Sequence, residues 1–277
     1  MASSSPAPGC CPEGSAGPTT DSYIPKGKEI DIDGVTAYVI EPRMKTDKAL
    51  LILHDIFGPD SGRTKKICDM YADEGYLVVL PYVFDPASFE EGSWKVFLVP
   101  RFILWIHKHE WPNVGKKYAK TLPYFKSRGV TAVGLVGFCW GCFPMTHLLA
   151  EDHDLLKGGC CFHPSLKIFG VLFDFNTKKY LEANKNKPLA YLAAANDEDN
   201  VKEGGQVDAI MKEKGNCYDK CHFETYTKMV HGWVNKGDLD DDSVKIDAYR
   251  ALDFSKTFFA DVLGEPGTPI ESASAAN

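Results

Sequence analysis

The chain lacks any apolar run long enough for a membrane span, since its most apolar stretch, Val96 to Ile106, is broken by Pro100 and Arg101. It also lacks a surplus of positive charge. Lys and Arg number 31 against 38 Asp and Glu, a net charge of −7, which argues against nucleic acid or an acidic membrane surface as a main partner. Met1 to Thr20 has no apolar core of the kind that marks a secretory leader, so a cytoplasmic location is expected. In such a compartment the nine cysteines are expected as thiols and not as a disulfide framework. No internal repeat and no domain-separating linker is visible. Nothing separates a monomer from a homodimer.

What is present suffices for a large core: 44% of the 277 residues are hydrophobic and 12% aromatic. Residues 1–21, rich in Ser, Pro, Gly, Ala and Thr, are expected to form a disordered tail with Cys10 and Cys11 in solvent, and residues 264–277 a second flexible tail. Between them, residues 22–263 are expected to form one catalytic domain. Lys28 to Ile40 has the alternation of a hairpin turning at Asp33-Gly34. Ala49–Leu53, Tyr76–Leu80, Gly158–Phe162, Leu189–Ala195 and His222–Tyr226 are short runs suited to buried strands. Helical patterns alternate with them: Ser61 or Gly62 to Glu74, Pro112 to Arg128 as one helix, Gln206 to Lys214 and Ser243 to Phe259. This alternation predicts an α/β fold, a mostly parallel sheet with helices on both faces. Phe84 to Trp111 is strongly aromatic and fits either a helix on the core or a lid over an apolar pocket.

The most informative stretch is Gly137-Phe138-Cys139-Trp140-Gly141, which joins the apolar run Val130–Val136 to a helical pattern through Leu149. It has the form of a G-x-S-x-G nucleophile elbow with cysteine in place of serine. A sharp strand-to-helix turn leaves room only for small residues on either side, and its unpaired helical N–H groups favour a thiolate and a developing oxyanion. Other readings compete. Cys139 and Cys142 form a C-x-x-C pair, as in thiol–disulfide oxidoreductases, or half of a zinc site. Cys160-Cys161 with His163, and Cys217, Cys221 and His222, are further clusters, though neither has paired zinc-finger spacing, and Cys160 and Cys161 suit a buried strand. A non-catalytic binding scaffold is a third class.

Two more groups lie just past predicted strands: Asp197, with Glu198 and Asp199 beside it, and His231. Nucleophile, acid, histidine is the chain order of α/β-hydrolases. The chemistry needs such a set, because a thiol of pKa roughly 8.5 is mostly neutral at pH 7, a nearby imidazole can take its proton, and a carboxylate can fix the imidazole's tautomer.

Gly137-Phe138-Cys139-Trp140-Gly141, His231-Gly232-Trp233, Asp55-Ile56-Phe57-Gly58 and the acid-bearing Ala193–Asp197 together resemble the dienelactone hydrolase family of α/β-hydrolases, from roughly Ile30 to Phe259. The resemblance implies a cofactor-free, metal-free hydrolase of small esters or lactones. Cys139 would be its nucleophile, His231 its base and Asp197 the orienting carboxylate. The backbone N–H groups of Ile56 and Trp140 would form the oxyanion hole, and Asp55, Phe57 and Trp233 would line the substrate pocket. The chain departs from the family pattern in three places, one of them Cys142, which follows the last elbow glycine where a glycine is common. Asp55 stands where the bacterial enzymes carry a thiol-gating glutamate, and their substrate-carboxylate arginine has no match after Leu80, Arg101 being the candidate replacement.

Overall fold

Continuous apolar runs need cover on both faces of a sheet, and the fold provides it. The computed structural model describes residues 11–12, 14–17, 22–84, 107–151, 153–166, 176–184 and 186–269. Cys10, Arg101 and most of the aromatic segment, residues 85–106, lie outside these, as do the expectations attached to them.

The main sheet uses β1 (Lys28–Ile32), β2 (Val35–Ile40), β4 (Lys48–Leu53), β5 (Leu77–Pro81), β6 (Ala132–Phe138), β7 (Leu156–Phe162), β8 (Leu189–Ala194) and β9 (His222–Tyr226). Its order is β1-β2-β5-β4-β6-β7-β8-β9. The β1–β2 hairpin turns at Asp33-Gly34, both with positive φ (52° and 80°), as a two-residue loop requires. From β5 to β9 every pairing is parallel. A small antiparallel ribbon joins β3 (Met44–Lys45) to β10 (Thr268–Pro269), so part of the expected flexible C-terminal tail is paired.

The pleat sends alternate side chains to opposite layers. Leu51 and Leu53 face one core with α2 (Trp111–Ala119), α3 (Thr121–Ser127), α4 (Cys142–Ala150), α5 (Thr177–Ala183) and α6 (Gln206–Lys214). Leu50 and Ile52 face the other, with α1 (Thr64–Asp73) and α8 (Asp242–Leu263). The short α7 (Trp233–Lys236) precedes α8. The single helix expected from Pro112 to Arg128 is instead two, α2 and α3. Pro123 explains the break: it has no N–H for the Ala119 carbonyl, and its ring crowds that oxygen. No helix among the described residues is long and apolar enough to cross a membrane.

Register places the site. Phe138 pairs with Phe162, and Ala194 with Tyr226, so β6, β7, β8 and β9 end along one edge. Just past the ends of these four strands, in the same order, lie Cys139, His163, Asp197 and His231.

Candidate active site

Cys139 sits at φ +52°, the left-handed region that a non-glycine residue occupies at a cost of order 1–3 kcal/mol. The flanking glycines show why the turn tolerates nothing larger. A Cβ on Gly141 would lie 2.1 Å from the Leu53 carbonyl oxygen at the end of β4, and one on Gly137 would press on the Cys161 sulfur at 3.0 Å. A helical turn begins at Cys139 and runs into α4. The early N–H groups of such a start, Trp140's among them, have no intrahelical acceptor. Cys139 itself is 2% exposed.

Asp197 and His231 are joined. His231 Nδ1 lies 2.6 Å from Asp197 Oδ1, with both side chains almost wholly buried. The other carboxylate oxygen accepts the Ala194 N–H at 2.6 Å, and the His231 N–H donates to Asn196 Oδ1 at 2.7 Å. The neighbouring acids are engaged elsewhere. Asp199 has a side chain 99% exposed and paired with Lys202, and Glu198 accepts the Leu166 N–H. Burial works against a charged His231, but the Asp197 carboxylate and the nearby Cys11 sulfur outweigh it, raising the imidazole to about 10. Its Nε2 is buried without a hydrogen bond. One sulfur or nitrogen from each of Cys11, Cys139 and His231 falls within 4.8 Å of the other two.

Cys11 is thus not in a solvated tail. It is 7% exposed, because the Ala16 N–H donates to the His231 carbonyl at 2.7 Å and Ser15 folds back onto the Pro12 carbonyl. Gly232, at φ +88°, turns the chain beside Ala16. His163 was also missed. It follows β7, its ring is 5.0 Å from that of His231, and both its nitrogens are buried without partners. Burial, followed by the positive neighbours His231 and Lys236, pushes it well below the usual histidine range, so the ring is neutral. A polar residue at a buried strand's end was the available signal.

The expected pocket residues have different fates. Asp55 accepts from the Phe57 N–H (2.9 Å), Ser61 Oγ (2.7 Å) and Asn235 Nδ2 (2.9 Å), which commits its carboxylate to the turn after β4. A thiol-gating role has no support in those contacts. Trp233 is buried against Tyr226, 4.4 Å between ring centres, in the core on α8's side of the sheet. It has the environment of a packing residue. Phe57 lies under the Lys236 ammonium at 3.8 Å. Lys236 is 4% exposed beside Gly232, and its ammonium makes no hydrogen bond or ion pair among the described residues. No turn, loop or cap hydrogen bond among the described residues engages the Ile56 amide. From the aromatic segment, Phe84 packs on His54 and Trp140, and Trp111 stacks on His147.

Cys142 does not pair with Cys139. Its Sγ donates to Tyr191 Oη at 3.0 Å inside the core. Cys160 and Cys161 are buried on β7, facing opposite layers, as strand residues should. These contacts leave neither a redox pair nor a zinc cluster at those positions.

A parallel sheet of this order, a strained cysteine between glycines after β6, and a histidine–carboxylate pair after β8 and β9 define an α/β-hydrolase. The chain belongs to the dienelactone hydrolase family, whose model matches residues 35–263, and it is accordingly an ester or lactone hydrolase. It is similar to the carboxymethylenebutenolidase homolog of Xenopus tropicalis, 29% identical over 222 residues, 79% of this chain and 83% of that protein. The Homo sapiens carboxymethylenebutenolidase homolog is 25% identical over 218 residues, covering 76% and 80%. Hydrolase tropI of Talaromyces stipitatus is 27% identical over 254 residues, covering 87% and 90%. Among solved structures, the dienelactone hydrolase from Anabaena variabilis matches with a TM-score of 0.56 at 10% identity, covering 87% of this chain and 98% of that one. Est1E from Butyrivibrio proteoclasticus gives 0.53 at 12%, covering 84% and 99%. At those identities the likeness is one of fold.

Proposed function

We propose that the enzyme hydrolyses small esters or lactones through an acyl-cysteine intermediate. The observation that carries this is the strained Cys139 sulfur clustered with a His231 whose other nitrogen is held by Asp197. The Cys139 proton rests on His231 Nε2, whose imidazolium form Asp197 stabilises, and the thiolate adds to the carbonyl carbon. The amides of Ile56 and Trp140 receive the oxyanion, each such donor being worth roughly 3 kcal/mol of barrier. The C–O bond then breaks and the leaving oxygen takes the proton back from His231. Water, deprotonated by the same imidazole, attacks the thioester, and the acid departs as the thiol re-forms.

Lys236 favours substrates that carry a carboxylate, since an ammonium held over the Phe57 ring at the end of a largely buried side chain gains a charge-assisted partner when an anion binds. The eight free cysteines among the described residues also suit a cytoplasmic setting. The test is to trap the intermediate. Rapid quenching with a slowly deacylated ester should give an intact mass increased by one acyl group, mapped to the peptide bearing Cys139 and absent in Cys139→Ala. Steady turnover in Cys139→Ala would refute the mechanism.

A further inference from the structure

The hydrolytic reading leaves Cys11 without a task, although it is buried against the two groups that reading uses. We infer that Cys11, Cys139 and His231 form a binding site for a soft divalent cation of the zinc type, which locks the tail over the active site. Three separate parts of the chain supply the donors: the N-terminal tail, the elbow after β6 and the loop after β9. Thiolate and imidazole are the donors that zinc prefers, and a cluster of buried donors differs from a surface group of acids.

The spacing fits. With Zn–S near 2.3 Å and tetrahedral angles, two coordinating sulfurs stand about 3.8 Å apart. The three donor atoms are already within 4.8 Å of one another, so side-chain rotation closes the gap. The state of His231 is a second, independent observation. Its Nε2 is buried with the Cys11 sulfur beside it, while Nδ1 is bound to Asp197. That carboxylate–histidine arrangement is the one that aims and strengthens a histidine ligand in metal sites. The fourth position falls to water or to His163, whose ring lies 5.0 Å from that of His231 with neither nitrogen bonded.

Charge balance also favours an ion. Two thiolates and a neutral imidazole balance one dication, the proton that Asp197 stabilises on His231 being released with those of the thiols, so the neutral cluster can stay buried. The tail needs no metal to reach its place, because the Ala16 to His231 backbone bond and the Pro12–Ser15 turn already hold it there. Under the proposed mechanism a bound ion occupies both the nucleophile and the base, so the loaded enzyme is silent and removing the metal restores it.

The experiment reads the metal and not hydrolysis, so its outcome stands apart from that of the acyl-cysteine test. Full-length protein, reduced and stripped of metal, is titrated with Co²⁺ in the absence of oxygen. The expected result is one equivalent bound, with a thiolate-to-cobalt charge-transfer band in the near ultraviolet, strong visible bands of a four-coordinate ion, and displacement by Zn²⁺. Cys11→Ser should cut the charge-transfer intensity to about half and weaken binding by about tenfold or more. Cys11 lies outside the residues 35–263 that the family model matches, and an unchanged far-ultraviolet spectrum in Cys11→Ser checks that the domain is folded. His231→Gln should weaken binding similarly, and Cys217→Ser with Cys221→Ser should leave the spectrum intact. The inference is overturned by any of three results: no thiolate band, a spectrum and affinity unchanged in Cys11→Ser, or a band that disappears with Cys217 and Cys221.

Discussion

Replacing Asp197 by Asn changes one atom, and the structure dictates how that atom is placed. One carboxylate oxygen accepts the Ala194 N–H at 2.6 Å and the other faces His231 Nδ1 at 2.6 Å. An asparagine has a single oxygen for these two donors. If its oxygen stays on His231, its NH₂ group meets the Ala194 N–H head-on, leaving a buried donor unsatisfied at about 1–3 kcal/mol. The favoured orientation therefore keeps the oxygen on Ala194 and turns the NH₂ toward Nδ1. Nδ1 must then accept, the ring proton moves to Nε2, and the nitrogen facing Cys139 can no longer take a proton. Loss of the correct tautomer costs about 10⁴ in turnover, or roughly 5.5 kcal/mol of barrier. The assay is single-turnover acylation with an activated ester, and Asp199→Asn serves as the control, since that side chain is 99% exposed beside Lys202. Asp197→Asn within tenfold of the parent would refute the reasoning, as would an equal loss in Asp199→Asn.

Cys142→Ala removes a thiol whose polar contact is with Tyr191, so ester turnover should stay within about fivefold of the parent; a collapse would revive the paired-thiol reading. Lys236→Met should raise KM about tenfold or more for an ester bearing a carboxylate and leave a neutral ester of equal size unaffected, with equal effects on both showing that the ammonium is structural. For His231, burial disfavours the charge, but Asp197 and Cys11 raise the folded pKa to about 10, above its ordinary 6.5. A raised pKa stabilises the fold fully below about 6.5, and that contribution is lost as pH climbs through about 10. The melting-temperature gap between the parent and His231→Gln should therefore narrow as pH rises from about 6.5 to about 10 and level off above, and a gap that stays constant across that range would show that the imidazole gains no proton on folding.

The sequence was most legible where backbone geometry dictates residue type. Gly137 and Gly141 announce the elbow because a Cβ at either position meets the Cys161 sulfur or the Leu53 carbonyl. Strands were legible for a similar reason, since a run such as Leu50 to Leu53 must be covered on both faces. Choosing among Asp197, Glu198 and Asp199 was beyond spacing alone, because all three follow β8 and only the Ala194 N–H pins one of them toward the imidazole. Trp233 misled through its place after His231-Gly232: the turn carries its ring into the core, where burial of an indole outweighs exposure in a pocket. Pro123 was a readable signal that the amphipathic pattern around it concealed.

Cys11 was illegible for a deeper reason. Its neighbours have the composition of a disordered segment, and such a segment has too little apolar area to offset its own ordering entropy. Its order is therefore supplied by the domain. The same loop that carries His231 offers its carbonyl to Ala16. Docking of the tail is consequently coupled to the geometry of the imidazole itself. On the proposed readings, a cation that draws Cys11 and Cys139 together strengthens this docking, and a substrate that needs the Cys139 sulfur competes with it. Tail order and substrate access are thus opposed outcomes of one equilibrium, and a ligand shifts it only by its difference in affinity for the two states.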